Sequence, residues 1–152
     1  MERINFGIRV GTTIYNTGIV VRALSSQTFA EKGFELTPEQ FLILDLVQEY
    51  GELYQRQMCE ITQKDRSNVA RLVKILEDKG LITRKQSCFN GRRIYKISVT
   101  EAGKAVRNEM KPMTQELRKT LIEGISNEEL EIMLTTLNKV YDNARQSVKL
   151  QI

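Results

Sequence analysis

Hydrophobic residues recur at intervals of three and four along most of the chain, which predicts a mainly helical protein. A first helix is expected over residues 5–31, where apolar side chains share one side. Thr37 followed by Pro38 is a typical helix start, and Gly51 is a typical stop, so a second helix should lie between them. A short third helix is expected over residues 55–61.

The fourth predicted helix has the most regular pattern. Asp65 can accept hydrogen bonds from the free amides at a helix start, and Gly80 can end the helix with Leu81 packed behind it. Between these positions the apolar residues follow the spacing of a single helix face, and they are Val69, Leu72, Val73 and Leu76. The pattern predicts a helix with one buried face and one outward face.

After Gly80 the pattern becomes typical of β structure. Residues 81–85 and 93–99 are short and rich in β-branched or aromatic residues, and the second segment alternates polar with apolar positions. Asn90 and Gly91 between them indicate a hairpin turn, because both residue types tolerate positive φ. We expect a two-stranded ribbon with a basic tip.

Two long helices are predicted in the last third of the chain, with Thr100 and Ser126 as their capping residues. The final helix has apolar residues at spacings typical of a heptad seam, namely Leu130, Leu134, Leu137, Tyr141, Ala144 and Val148. The terminal segments carry more apolar surface than a core of this size needs. Self-association as a homodimer is therefore predicted.

Two helices joined by a short turn and followed by a hairpin make a winged helix-turn-helix. The predicted fold class is mainly α with a small β-hairpin wing. A single domain over residues 1–152 would hold the winged helix-turn-helix at about residues 36–100 and dimerisation helices at about residues 4–32 and 101–152.

The composition argues against several classes of function. The 152 residues include no histidine and only two cysteines, Cys59 and Cys88. Histidine is the commonest general base near neutral pH and a common zinc ligand, so we expect no enzyme, no metal site and no cofactor. The longest apolar run has four residues, and no signal-peptide pattern follows the N-terminus, so a soluble cytoplasmic protein without a membrane partner is expected.

Positive charge is concentrated near the middle of the chain. The net charge is +4, but the segment from Lys64 to Lys96 holds ten basic and three acidic residues, whereas the remaining 119 residues carry a net −3. A localised basic stretch is typical of a surface that binds a polyanion such as DNA. The alternative is an ordinary solvated basic surface.

The outward face of the fourth helix suits a reader of the DNA major groove. Arginine can pair with guanine and asparagine with adenine, and the face carries Arg66, Ser67, Asn68, Arg71 and Lys74. Lys74 and Lys85 are expected to neutralise phosphates. Arg92 and Arg93, at the exit of the hairpin turn, are expected to reach the minor groove. A solvated helix and a plain basic turn are the alternatives.

Four stretches of sequence carry a resemblance to a known family: DRSNVARLV at 65–73, LEDKGLI at 76–82, GRR at 91–93 and VTEAG at 99–103. Together they resemble MarR-type transcriptional regulators. The resemblance implies a homodimer with intertwined terminal helices that binds a pseudo-palindromic operator on double-stranded DNA, usually as a repressor released by small molecules or oxidation. The family's wing commonly has an aspartate where this chain has Asn90.

The resemblance also implies an effector site where the dimerisation helices meet the reading domain. Tyr15, Phe41 and Met110 are candidates to line it, although apolar residues at helical spacing are more often core. Cys88 in the basic wing is a candidate redox-sensitive thiol, since neighbouring cations favour the thiolate, and Cys59 is expected to be buried. The alternative function is a winged-helix protein-interaction module without sequence-specific DNA binding.

Overall fold

A computed structural model describes residues 2–89 and 91–148, with the side chains of Glu2, Phe89 and Arg92 outside that description. The described residues form helices and one small sheet in this order: α1 (Glu2–Glu31), α2 (Pro38–Tyr50), β1 (Leu53–Tyr54), α3 (Gln55–Thr62), α4 (Arg66–Asp78), β2 (Ile82–Phe89), β3 (Arg92–Val99), α5 (Glu101–Ile122) and α6 (Asn127–Ser147). The chain divides into two compact units, Met1–Pro38 and Glu39–Ile152. No described helix is both long and apolar enough to cross a membrane.

The predicted starts of α4, α5 and α6 and the predicted end of α4 are confirmed by their capping geometry. The Asp65 side chain accepts a hydrogen bond from the Asn68 amide, Thr100 Oγ1 accepts one from the Gly103 amide, and Ser126 forms a capping box with Glu129. Gly80 has a left-handed φ of 71°, and the Leu81 amide donates back to the Leu76 carbonyl, as a glycine-terminated helix requires.

The sheet differs from the predicted two-stranded ribbon. It has three antiparallel strands in the order β1-β3-β2, with Leu53 paired to Ile97. The predicted limits of the first wing strand, residues 81–85, were also wrong, because β2 continues to Phe89. Cross-strand pairing with β3 extends it, as in the pair of Gln86 with Tyr95. Asn90 of the expected turn lies outside the described residues.

The core of the second unit is built from one face each of α2, α3, α4 and the sheet, together with the first half of α5. Its most deeply buried side chains are Ile43, Leu44, Val47, Met58, Val69, Leu72, Val73, Leu76, Ile82, Ile97 and Met110. Cys59 is fully buried among the core residues, which confirms its predicted packing role, and burial raises the pKa of its thiol. The buried stripe of α4 lies in this core, so the opposite side of α4 is outward.

Thr100 joins three elements at the end of the sheet. Its hydroxyl donates to the Gly80 carbonyl over 2.7 Å, and its amide donates to the Leu81 carbonyl over 3.0 Å. Gly103 lies buried directly beneath this junction, where a Cβ would come within 2.1 Å of the Leu81 carbonyl oxygen. The VTEAG stretch thus fixes the start of α5 against the end of α4 and the start of the wing.

Candidate nucleic-acid interface

Side-chain contacts around the turn between α3 and α4 fix the position of α4. Gln55 Nε2 donates to the Arg66 carbonyl over 3.3 Å, which connects the starts of the two helices. Lys64, in the turn, pairs with Glu39 at the start of α2, with 2.7 Å between Nζ and Oε1. Both side chains of this ion pair are partly buried. The turn is therefore attached to α2 through Lys64, and the helices on either side of it are connected through Gln55.

Gln63 ends α3 in the left-handed region with φ 55°, the position where glycine is common in other proteins. Its Nε2 donates to the Glu60 carbonyl over 2.5 Å. A side chain with a Cβ is disfavoured at this φ by about 1 kcal/mol or slightly more. The turn therefore forms without glycine, but at a cost in stability.

We predict that Gln63→Gly is about 1 kcal/mol more stable to denaturant than Gln63→Ala, because both variants lose the side-chain amide and only glycine relieves the left-handed backbone. The measurement is the free energy of unfolding from urea titrations. Ala105, exposed within α5, provides the control, since Ala105→Gly should be destabilising by about 1 kcal/mol there. Equal stabilities of the two Gln63 variants would show that the left-handed backbone at position 63 carries no energetic cost for a residue with a Cβ.

The outward face of α4 carries the side chains expected to read DNA. Arg66, Ser67, Arg71 and Lys74 are exposed, and Asn68 is half-buried at the rim of the face. Arg71 Nη2 donates to Asn68 Oδ1 over 3.0 Å, which brings the two best base-reading groups together one helical turn apart. The exposure of this face confirms the helical periodicity, whereas its contacts with DNA stay a prediction.

Ion pairs lower the free positive charge of the basic segment. Besides Lys64, the described salt bridges include Lys74 with Asp78, Arg84 with Glu77, and Lys96 with Glu52. The Lys74 pair joins exposed side chains four residues apart on one helix, and such pairs contribute only about 0.3–0.5 kcal/mol. Lys74 can therefore exchange Asp78 for a phosphate at little cost.

The wing places two lysines opposite each other. Lys85 on β2 is in register with Lys96 on β3, an arrangement in which like charges repel. Glu52 relieves this repulsion, because its carboxylate accepts from Lys96 over 3.0 Å and from Ser98 over 3.4 Å. The hydrogen bond from Lys96 lowers the pKa of Glu52, and the same bond raises the pKa of Lys96.

The wing arginines lie at the far end of the ribbon. Arg93 is exposed and in register with Cys88, which is also exposed. Arg92 begins β3, and its side chain lies outside the described part of the structure. The redox role of Cys88 stays a prediction.

The three candidate effector residues have different environments. Phe41 and Met110 are buried in the second unit, whereas Tyr15 on α1 is 69% exposed. Burial of Phe41 and Met110 agrees with a core role, and their part in an effector site stays a prediction. Among the described residues, no group of three or more His, Cys, Asp or Glu side chains could hold a metal ion.

Known proteins are similar to this chain in sequence and in fold. The profile of the MarR family matches residues 36–94, which run from just before α2 into β3. The solved transcriptional regulator SlyA is 29% identical, with a TM-score of 0.75 over 89% of this chain and 95% of its own. MepR of S. aureus, solved as a DNA complex, is 24% identical, with a TM-score of 0.73 over 88% of this chain and 96% of its own.

BpsR of Bordetella bronchiseptica, whose DNA binding is regulated by 6-hydroxynicotinic acid, has the same fold. It is 20% identical, with a TM-score of 0.75 over 88% of this chain and 98% of its own. The high coverage of both chains in these likenesses shows that the shared fold extends well beyond residues 36–94.

Proposed function

We propose that this chain is a MarR-type, sequence-specific regulator of transcription that binds double-stranded DNA as a homodimer, and the match of the MarR family model to residues 36–94 supports the proposal. The observation that carries the proposal is the outward face of α4, where arginine, serine and asparagine side chains lie together on a helix whose other face is fully buried. Pairing of these groups with base edges would give sequence specificity.

In the proposed complex each protomer inserts α4 into a major groove, with the two grooves about one DNA turn apart. Arg66, Ser67, Asn68 and Arg71 lie at the first turns of α4, the part of a recognition helix that contacts bases. Lys74 and Lys85 neutralise phosphates, and Arg92 and Arg93 at the wing enter the minor groove. Two-fold symmetry then requires a pseudo-palindromic operator.

Exposed apolar residues on α1 and α6 support the homodimer. None of the described residues of α6 is buried, although its sequence has an apolar seam. The exposed apolar side chains of α6 are Ile132, Met133, Leu134, Leu137 and Tyr141, and those of α1 include Ile4, Phe6, Ile8, Ile14 and Ile19. So many exposed apolar side chains on a helix are unusual in a soluble monomer, and a second copy of the chain is the partner that would cover them.

We propose further that the protein acts as a repressor that responds to a small molecule. The support for the response to a small molecule is the likeness in fold to BpsR, whose DNA binding is regulated by 6-hydroxynicotinic acid. The repressor role is what the resemblance to MarR-type regulators implies. The candidate effector residues are Tyr15, Phe41 and Met110.

We expect Leu137→Ala to weaken self-association by about 1 kcal/mol for each copy, because the proposed interface buries this side chain. Sedimentation equilibrium of the purified protein measures the effect. Lys139→Ala, at an exposed polar position on the same helix, is the matched control and should leave the dimer intact. A wild-type protein that stays monomeric at micromolar concentration would contradict the proposal.

The proposed DNA binding is tested by fluorescence anisotropy of labelled genomic duplexes at several salt concentrations. A regulator should bind preferred fragments at least about a thousandfold more tightly than random duplex, with an affinity that falls steeply as salt rises. Weak binding with little dependence on salt would instead favour the protein-interaction module.

A further inference from the structure

Arg84 connects the wing to the end of α4. Its Nε donates to Glu77 Oε1 over 3.0 Å, and its Nη2 donates to Glu77 Oε2, so the guanidinium binds the carboxylate with two parallel hydrogen bonds. The Arg84 guanidinium also lies over the Tyr95 ring, with its central carbon 6.0 Å from the ring centroid. Both members of the ion pair are about one-third exposed.

The position of this ion pair in the chain is distinctive. Glu77 is the penultimate residue of α4, and Arg84 is the third residue of β2. Only a tight connection with a left-handed Gly80 lies between the two elements. The ion pair therefore closes the junction at which the wing leaves the proposed recognition helix.

Small rotations at this junction would be magnified at the wing tip. Cys88 lies four residues beyond Arg84 on β2, which at about 3.3 Å per residue places it about 13 Å farther along the strand. Arg93 is in register with Cys88, so it lies at the same distance from the junction. For α4 and Arg93 to contact the same duplex, the angle between α4 and the wing must be fixed.

The negative charge of Glu77 is unfavourable for DNA binding, so its presence calls for a structural explanation. A carboxylate on the last turn of the recognition helix repels phosphates, and it also neutralises the charge of Arg84. Electrostatics alone would therefore favour a neutral residue at position 77. A carboxylate here is explained if it sets the direction of the wing.

We propose that Glu77 is a positioning residue for DNA binding, which acts through Arg84 to hold the wing at the angle that lets α4 and Arg93 contact one duplex. This inference rests on the proposed function of the protein. It assigns a role in binding to a residue that does not itself contact DNA.

The neighbouring acidic residue provides a control with the same change of charge. Asp78 is on the same turn of α4 and pairs only with the exposed Lys74 in the described salt bridges. Asp78→Asn and Glu77→Gln each remove one negative charge, so an effect of charge alone would tighten DNA binding in both. The positioning role predicts opposite signs, with about 2- to 5-fold tighter binding for Asp78→Asn and about 3- to 10-fold weaker binding for Glu77→Gln.

Binding to the preferred duplex at fixed salt decides between these outcomes. Tightening of similar size in both variants would overturn the positioning role. The double variant Glu77→Arg with Arg84→Glu keeps the net charge and restores an ion pair, so it should recover part of the lost affinity. A double variant that binds no better than Glu77→Gln would also count against the inference.

A second measurement needs no DNA and uses a native reporter. Cys88 is exposed on the wing and Cys59 is buried, so a thiol-reactive fluorophore should label the wing selectively. Release of the wing in Glu77→Gln should lower the fluorescence anisotropy of the free protein, and Asp78→Asn should leave it unchanged. An unchanged anisotropy in Glu77→Gln would overturn the inference whether or not the wild type binds DNA, whereas absence of wild-type binding with the expected anisotropy would overturn the proposed function alone.

Discussion

Replacing Gly103 with alanine should lower the free energy of unfolding by about 3 kcal/mol, the upper part of the usual range for an overpacked core position. The added Cβ would lie 2.1 Å from the Leu81 carbonyl oxygen and 2.7 Å from Val99 Cγ1. The nearer atom belongs to the backbone, and the same carbonyl accepts the Thr100 amide over 3.0 Å. The clash can therefore be relieved only by moving the junction between α4, the wing and α5.

Urea denaturation of the purified variants measures this effect. Ala102→Ser is a matched control, because it adds one heavy atom at an exposed position in the same turn of α5 and should change stability by at most about 0.5 kcal/mol. Equal stability of Gly103→Ala and the wild type would show that the close approach of α5 to Leu81 is wrong.

The second large effect concerns the proposed reading face. Arg71→Ala should weaken binding to the preferred operator by about 1–3 kcal/mol while affecting random duplex much less, if Arg71 contacts a base. The same loss on every sequence would make Arg71 a phosphate contact. The measurement is a comparison of dissociation constants for both kinds of duplex at one salt concentration.

Arg118→Ala is the control for the loss of one positive charge. Arg118 is exposed on α5 and pairs with Asp45, away from the residues of the reading face in sequence. It should leave DNA affinity nearly unchanged. A loss of similar size for both arginines would indicate a general effect of net charge and would contradict a specific role for Arg71.

Local signals account for the parts of the fold that could be predicted. Asp65, Thr100 and Ser126 each bond to an amide three residues away, so their capping roles are visible in a short window of sequence. β1 has two residues and was missed, because its only support is pairing with a strand more than forty residues later. The same dependence on a distant partner explains why β2 was predicted too short.

In the candidate site, too, features set by neighbouring residues could be predicted from the sequence, whereas contacts between distant residues could not. Periodicity alone indicated which residues of α4 face outward. It could not indicate that Lys64 pairs with Glu39 or that Lys96 pairs with Glu52, because those partners are 25 and 44 positions away. Counting charges along the sequence therefore overstated the free positive charge of the segment, and it gave no sign that Glu77 binds Arg84.

Sequence-specific reading of DNA by α4 can be tested by selecting the genomic DNA fragments that the purified protein binds. A dimer that reads DNA through α4 should enrich fragments sharing an inverted repeat, with half-sites about one helical turn apart, and the enrichment should decline for Arg71→Ala. A set of bound fragments indistinguishable from random genomic DNA would contradict sequence-specific reading by α4.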